Sequence, residues 1–240
     1  MPTPTYAHGH RAVVFDLDGT LVDTMRSVPQ AYTDAIRTLG GGEISPSEVM
    51  AVWHMGSTSV VLEHFLGRAV SPDDMECFYR CLAVTTADVE AFPGAVEMLD
   101  TLGSQGRALG VFTSATRRAA TLMLATAGLE GYFSCVVGGD EVRAPKPAPE
   151  GLVRCCLQLG VAAGEAVYVG DAEVDLRCAE AAGALGIHAS WGGPADTRQQ
   201  AALTARNPRE VVELLASRAG TAGRVCGGIQ VSVARTPWRE

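Results

Sequence analysis

Two carboxylates, Asp16 and Asp18, stand two residues apart directly after the apolar run 12–15. Side chains at positions i and i+2 of an extended strand point to the same side, so both acids can face one site. Crowding two acids is unfavourable unless a metal ion, a shared proton or a reaction makes use of them. The pair therefore predicts a catalytic or metal-binding site at the end of a strand.

Three further polar clusters follow later in the chain, near the ends of other apolar runs. They are Thr113-Ser114, Lys146 between two prolines, and Asp171 with Asp175 after Gly170. If these runs are parallel strands, their carboxyl ends lie along one edge of a sheet. The clusters are then expected to converge with Asp16 and Asp18 on one site.

The elements that must position these residues alternate along the chain. Short apolar runs occur at 12–15, 108–112, 135–137, 166–169 and 184–188, and stretches of helical periodicity separate most of them. Strands that alternate with helices indicate a parallel sheet covered on both faces. The sequence predicts an α/β fold, a Rossmann-like doubly wound core formed by residues 11–21 and 92–217.

The gap between the first two strand candidates is too long for one crossover helix. Its pattern is mainly helical, at 28–39, 47–53, 59–66 and 73–83, with glycine and proline breaks. We expect residues 22–91 to form an inserted helical cap domain that hangs over the paired aspartates. A short helix is predicted at 209–215, and residues 218–240 form a C-terminal tail without an assigned function.

Composition excludes several classes of partner. The 240 residues are 47% hydrophobic and carry a formal net charge of −8, which argues against nucleic acid and anionic membranes. The N-terminus lacks the apolar core of a signal peptide, and no apolar run is long enough to span a bilayer. The seven cysteines show no zinc-type spacing, so reduced, buried thiols in a cytoplasmic protein are expected.

The order and spacing of the four clusters resemble the haloacid dehalogenase superfamily over roughly residues 11–215. The residues that carry the resemblance are Asp16-Leu17-Asp18-Gly19-Thr20, Thr113-Ser114, Lys146, and Asp171 with Asp175. The position of the insertion is similar to that of the helical-cap subgroup, which includes phosphoglycolate phosphatase-like enzymes. The resemblance implies Mg²⁺-dependent hydrolysis of a small phosphorylated metabolite.

The resemblance also implies a role for each charged residue. Asp16 would be the nucleophile that forms an aspartyl-phosphate, Asp18 the general acid and base, and Lys146 the cation that faces phosphate and Asp16. The Mg²⁺ ligands would be a carboxylate oxygen of Asp16, the backbone carbonyl of Asp18, and Asp171. Asp175 would bind either a water molecule coordinated to the metal or the Lys146 ammonium group.

The remaining candidates would bind phosphate or the leaving group: Gly19, Thr20, Thr113 and Ser114 at the sheet edge, and Gly56 and Ser57 in the cap loop 54–59. The pair Thr113-Ser114 is also typical of an ordinary helix N-cap. The loop 54–59 is also typical of an ordinary turn that leads into a helix. Arg117 and Arg118 could steer an anionic substrate or belong to a solvated helix face. His54 and His64 are interpreted as surface or packing residues, and Trp53 as cap core.

Alternative functions remain open. Asp18 argues against the dehalogenases and phosphonatases, which lack an acid two residues after the nucleophile. A phosphomutase of the β-phosphoglucomutase type is less favoured, because the histidine expected near Val28 is absent. A non-catalytic phosphate-binding module would typically have lost one of the catalytic acids or the lysine. The alternating segment 229–233 leaves a homodimer open.

Overall fold

The computed structural model describes residues 9–192 and 203–222, which contain one six-stranded parallel sheet. The order across the sheet is β3-β2-β1-β4-β5-β6. The strands are β1 Ala12–Phe15, β2 Ala108–Phe112, β3 Cys135–Val137, β4 Ala166–Gly170, β5 Leu185–Ala189 and β6 Thr204–Ala205.

Helices occupy most of the chain between the strands. They are α1 Ser27–Thr38, α2 Pro46–Val52, α3 Thr58–Leu66, α4 Pro72–Thr85, α5 Ala95–Ser104, α6 Arg117–Thr126, α7 Glu150–Gln158, α8 Glu173–Ala182 and α9 Pro208–Ala222. The first four all lie between β1 and β2, as the sequence pattern predicts.

Helices cover both faces of the sheet. Alternate residues of β1 point to opposite faces, so Val13 and Phe15 belong to one buried cluster while Ala12 and Val14 belong to another. The first cluster includes residues of α5, α6 and α9, and the second includes residues of α7 and α8. The predicted doubly wound α/β fold is confirmed.

The helical insertion leaves and rejoins the sheet at adjacent points. Val22 and Ala91 form an antiparallel bridge, and the Phe92 N–H donates to the Leu21 carbonyl at 3.0 Å. Both ends of the insertion are therefore fixed beside the turn that carries Asp16 and Asp18.

A second contact joins the insertion to the sheet layer through α4 and α6. The Tyr79 hydroxyl donates to Thr116 Oγ1 at 3.0 Å, and Arg118 Nη2 donates to Glu76 Oε2 at 2.9 Å. The Arg118 guanidinium also lies over the Tyr79 ring, 4.1 Å from its centroid. The Thr116 side chain is the N-cap of α6, where it accepts from the Ala119 N–H.

The structure differs from the sequence prediction at the C-terminal side. Strand β6 was not predicted, because two residues are too few to show an alternating pattern. Helix α9 extends to Ala222 and so includes the first residues assigned to the tail. Residues 223–240, including the alternating segment 229–233, lie outside the described residues.

The described ranges, 9–192 and 203–222, bear on the membrane and cysteine predictions. No helix there is long and apolar enough to cross a bilayer. The six described cysteines are free thiols, and all except Cys81 are buried. Four of them, at positions 135, 155, 156 and 178, belong to the buried cluster that includes residues of α7 and α8.

The N-terminus of α4 carries a reciprocal cap whose removal should be measurable. Ser71 Oγ accepts from the Asp74 N–H, and Asp74 Oδ2 accepts from the Ser71 N–H at 2.8 Å. We predict that Ser71→Ala lowers the free energy of unfolding by about 1 kcal/mol, measured by urea denaturation.

Ser57→Ala provides the matched control for this prediction. Ser57 is the N-cap residue of α3, but its side chain makes no capping hydrogen bond. Its replacement should change the free energy of unfolding by less than about 0.5 kcal/mol. Equal losses in the two variants would contradict the cap assignment.

Candidate active site

The predicted site residues meet at the carboxyl edge of the sheet, where the strand order reverses between β1 and β4. Parallel α/β sheets form their ligand crevices at such a reversal. A cavity of about 310 Å³ opens there. Its lining includes the predicted residues Asp16, Asp18, Gly56, Thr113, Ser114, Lys146, Asp171 and Asp175. Ser57 lines a smaller adjoining recess together with Gly56 and Ser114.

Lys146 is held between two carboxylates at the floor of this cavity. Its Nζ donates to Asp16 Oδ1 at 2.6 Å and to Asp175 Oδ1 at 2.8 Å, and its side chain is only 3% exposed. Burial alone would lower the pKa of Lys146, but the charges of Asp16 and Asp175 raise it above its usual value. The ammonium group therefore remains charged inside the protein.

Asp16 is buried and Asp18 is partly buried, and desolvation raises the pKa of each carboxyl group. For Asp16 the nearby Lys146 charge opposes this rise without cancelling it. For Asp18 a hydrogen bond opposes it, since the Thr24 hydroxyl donates to Asp18 Oδ1 at 2.5 Å. The second acid of the pair is thus shifted toward its protonated form.

Asp175 is fixed by groups from both sides. Its Oδ1 lies 3.2 Å from the Tyr168 hydroxyl, and its Oδ2 accepts from the Ala172 N–H at 3.1 Å. A Cβ at Gly170 would lie 2.4 Å from the Asp175 Cβ, so this approach requires a glycine at the end of β4. Both Asp175 oxygens are therefore already engaged, one of them with Lys146.

The donor set suits a hard divalent cation. Carboxylate oxygens of Asp16, Asp171 and Asp175 lie within 4.8 Å of one another. Burial and the charge of Asp175 raise the pKa of Asp171 to about 7. Oxygen donors that concentrate negative charge in this way are the ligands that Mg²⁺ prefers.

The turn after β1 packs closely on Asp171. Gly19 has φ +75°, and a Cβ there would lie 2.5 Å from Asp171 Oδ2. The Thr20 carbonyl accepts from Trp191 Nε1 at 3.0 Å, which ties the turn to the segment after β5. Gly19 and Thr20 thus shape the turn that places the acids.

The second cluster forms a loop rather than a helix cap. Thr113 is buried, and its Oγ1 accepts from the Ala115 N–H at 3.1 Å, whereas Ser114 is exposed to the cavity. The N-cap of α6 is Thr116. The alternative interpretation of Thr113-Ser114 as an ordinary N-cap is therefore wrong.

The insertion supplies an apolar wall that the sequence analysis missed. Met25, Met50 and Trp53 line the same cavity as the acids. A methionine or tryptophan in an amphipathic segment is indistinguishable from a core residue by pattern alone. Trp53 does pack against the core, as predicted, but it also faces the cavity.

The other basic candidates do not line the cavity. Arg117 pairs with Glu141 at 3.3 Å, and Arg118 pairs with Glu76. His64 is exposed and meets the Phe65 ring edge to face, with 4.9 Å between ring centroids. The side chain of His54 lies outside the described residues.

Comparison with known proteins decides the family. The model of the family "Haloacid dehalogenase-like hydrolase" matches residues 13–188. The chain belongs to the haloacid dehalogenase-like hydrolases. Curated relatives of the chain include phosphatases, which confirms the predicted enzyme class.

Two of these relatives align over most of the chain. "Probable phosphatase IndB" of Dickeya dadantii is 34% identical over 221 residues, which are 88% of this chain and 92% of that protein. A phosphoglycolate phosphatase of Rhodospirillum rubrum is 36% identical over 197 residues, covering 76% of this chain and 80% of that protein.

Solved structures support the fold of this haloacid dehalogenase-like hydrolase. A superfamily hydrolase of subfamily IA from Geobacter sulfurreducens has 31% identity and a TM-score of 0.62, covering 87% of this chain and 98% of that one. CbbY of Rhodobacter sphaeroides, solved with phosphate, has 20% identity and a TM-score of 0.73, covering 84% and 96%. At 20% identity the second likeness shows the fold alone.

The raised pKa of Asp171 predicts how stability depends on pH when EDTA keeps the hydrolase free of metal. In the folded state the Asp171 carboxyl group has a pKa of about 7, whereas the ordinary pKa of an aspartic acid is 3.8. The free energy of unfolding should therefore rise as the pH falls from about 8 to about 5. Asp171→Asn should reduce this slope and should be more stable than the unsubstituted protein at pH 8.

Glu173→Gln is the control for this titration, because Glu173 stands two residues away and is exposed. Thermal unfolding at several pH values measures all three proteins. The control should keep the original slope, and an unchanged slope in Asp171→Asn would refute the assignment.

Proposed function

We propose that the chain is a Mg²⁺-dependent phosphatase that hydrolyses a small-molecule phosphomonoester through an aspartyl-phosphate on Asp16. The observation that carries this proposal is the buried Lys146 ammonium, which contacts Asp16 in a cavity that also holds Asp18 and Asp171. A nucleophile, a proton donor, a cation and oxygen ligands are thereby collected in one crevice.

Asp16, the backbone carbonyl of Asp18 and Asp171 are the residues proposed to hold the metal. When bound, Mg²⁺ would offset the negative charge that makes a phosphomonoester resist nucleophilic attack. Asp175 would hold Lys146 in place, since both of its oxygens already accept hydrogen bonds.

In the first step a carboxylate oxygen of Asp16 attacks phosphorus and the bond from phosphorus to the leaving oxygen breaks. Lys146 binds Oδ1, so Oδ2 is the oxygen assigned to the attack. The Asp18 carboxylic acid gives its proton to the leaving alkoxide. Its raised pKa suits this donor role, because the proton must be present when the substrate arrives.

In the second step Asp18, now a carboxylate, takes a proton from water. The water oxygen attacks phosphorus, the acyl-phosphate bond breaks, and Asp16 leaves as a carboxylate. Lys146 and the loop of Thr113 and Ser114 bind the phosphoryl oxygens in both steps. Inorganic phosphate is the product.

Residues 22–91 are proposed to be the cap that covers this chemistry and selects the substrate. Both ends of this segment lie beside the Asp16 turn, and its residues Trp53 and Gly56 line the cavity. Enclosure of the site would exclude bulk water and strengthen each electrostatic contact. The substrate is therefore proposed to be a small phosphorylated metabolite.

Substitution of the paired acids tests the proposed steps. Asp16→Asn removes the nucleophile and should lower kcat more than about 10³-fold. Asp18→Asn removes the proton donor and should lower kcat about 10²- to 10⁴-fold. Phosphate release from a panel of phosphomonoesters measures both.

Full activity of Asp16→Asn would overturn the nucleophile assignment. Isomerisation of a sugar 1,6-bisphosphate without net phosphate release would favour a phosphomutase instead. Asp23→Asn is the control. Asp23 is an exposed acid close to Asp16 and Asp18 in sequence, and its side chain does not line the cavity.

Metal binding is tested separately from catalysis. EDTA should abolish phosphate release, and Mg²⁺ at about 100 times its Kd should raise the free energy of unfolding by about 2.7 kcal/mol. Asp171→Asn should lose this stabilisation, whereas Glu173→Gln should keep it. Stabilisation of both variants by Mg²⁺ would place the metal elsewhere.

A further inference from the structure

The two walls of the cavity differ in chemistry. One wall carries the acids, Lys146 and the loop of Ser114, which the proposed function uses for the phosphoryl group. Apolar side chains of the insertion, Met25, Met50 and Trp53, form a second wall of the same cavity. The proposed phosphoryl site leaves this second wall available for the leaving group.

The second wall offers apolar surface that remains open to a ligand. Met50 is 41% exposed, and Trp53 is only partly buried. A large apolar side chain left open in a concave site is typical of a binding surface, and methionine adapts its shape to flat ligands. A cavity of about 310 Å³ lies in the size range of sites for small organic ligands.

The described residues of the cavity offer no cation for a second negative charge. Among its described lining residues, Lys146 is the only basic side chain, and it already contacts Asp16 and Asp175. Arg117 and Arg118 are paired with acids outside the cavity. A leaving group with its own carboxylate or second phosphate would therefore face carboxylates without a compensating partner.

We propose that the substrate is the phosphomonoester of an uncharged alcohol that presents an aromatic or flat apolar face to Trp53, Met25 and Met50. This inference rests on the proposed phosphatase function and narrows its substrate class. A small anionic alcohol such as glycolate, the leaving group of phosphoglycolate, lacks the surface that this wall would bind.

Three primary alkyl phosphates test the proposal with the full chain and Mg²⁺. We expect kcat/KM for 2-phenylethyl phosphate to exceed that for ethyl phosphate about tenfold or more, because only the former has a ring to bury. Phosphoglycolate should fall below ethyl phosphate. The opposite order, with phosphoglycolate preferred, would overturn the substrate class and leave the phosphatase function standing.

Release of phosphate from none of the three would instead refute the proposed function itself. A positive result with ethyl phosphate but no preference for the phenylethyl ester would overturn only the substrate class. The two failures are therefore distinguishable in one assay.

Variants test the wall directly. Trp53→Leu should bring the ratio of the phenylethyl and ethyl esters close to one, mainly through KM, and an unchanged ratio would overturn the assignment of this wall. Met50→Lys should raise kcat/KM for phosphoglycolate relative to ethyl phosphate by supplying the missing cation. Met55→Lys is the matched control, since Met55 is 45% exposed on the same segment but does not line the cavity.

Discussion

One buried ion triad governs the arrangement of the site. The Lys146 ammonium lies between the carboxylates of Asp16 and Asp175, and all three side chains are almost fully removed from water. Charges buried in this way destabilise a protein unless their geometry and remaining hydrogen bonds are satisfied. The Tyr168 hydroxyl and the Ala172 N–H supply the remaining polar contacts of the Asp175 carboxylate. The triad therefore also joins β1, the loop before α7 and the start of α8.

The fold explains why residues so far apart in sequence can form this triad. The strand order reverses between β1 and β4, so the crossovers leave these two strands in opposite directions and a crevice opens above their ends. Asp16 and Asp171 stand on either side of that crevice. The helical insertion begins after the turn that follows β1, and its apolar side chains Met25, Met50 and Trp53 form a second wall of the same cavity.

Sequence patterns were sufficient for the strands β1 to β5 and for the convergence of the charged residues at one edge of the sheet. The strands β1 to β4 are apolar runs because both of their faces are buried, and the paired acids follow β1 while Asp171 follows β4. Thr24 and Tyr168 were not predicted as site residues, since a threonine in a turn and a tyrosine in a buried strand carry no distinctive pattern. Their contacts with Asp18 and Asp175 depend on tertiary structure. The same holds for Met25, Met50 and Trp53, which line the cavity because of how the insertion folds.

The contact between α4 and α6 should depend on ionic strength. It rests on one hydroxyl pair and on an ion pair whose side chains are about half exposed. Exposed ion pairs contribute about 0–1 kcal/mol and weaken as salt screens them. The Thr116 hydroxyl in this contact also caps the helix that follows the Thr113-Ser114 loop. Salt should therefore loosen the insertion at the start of that helix, while its two ends stay bonded beside β1.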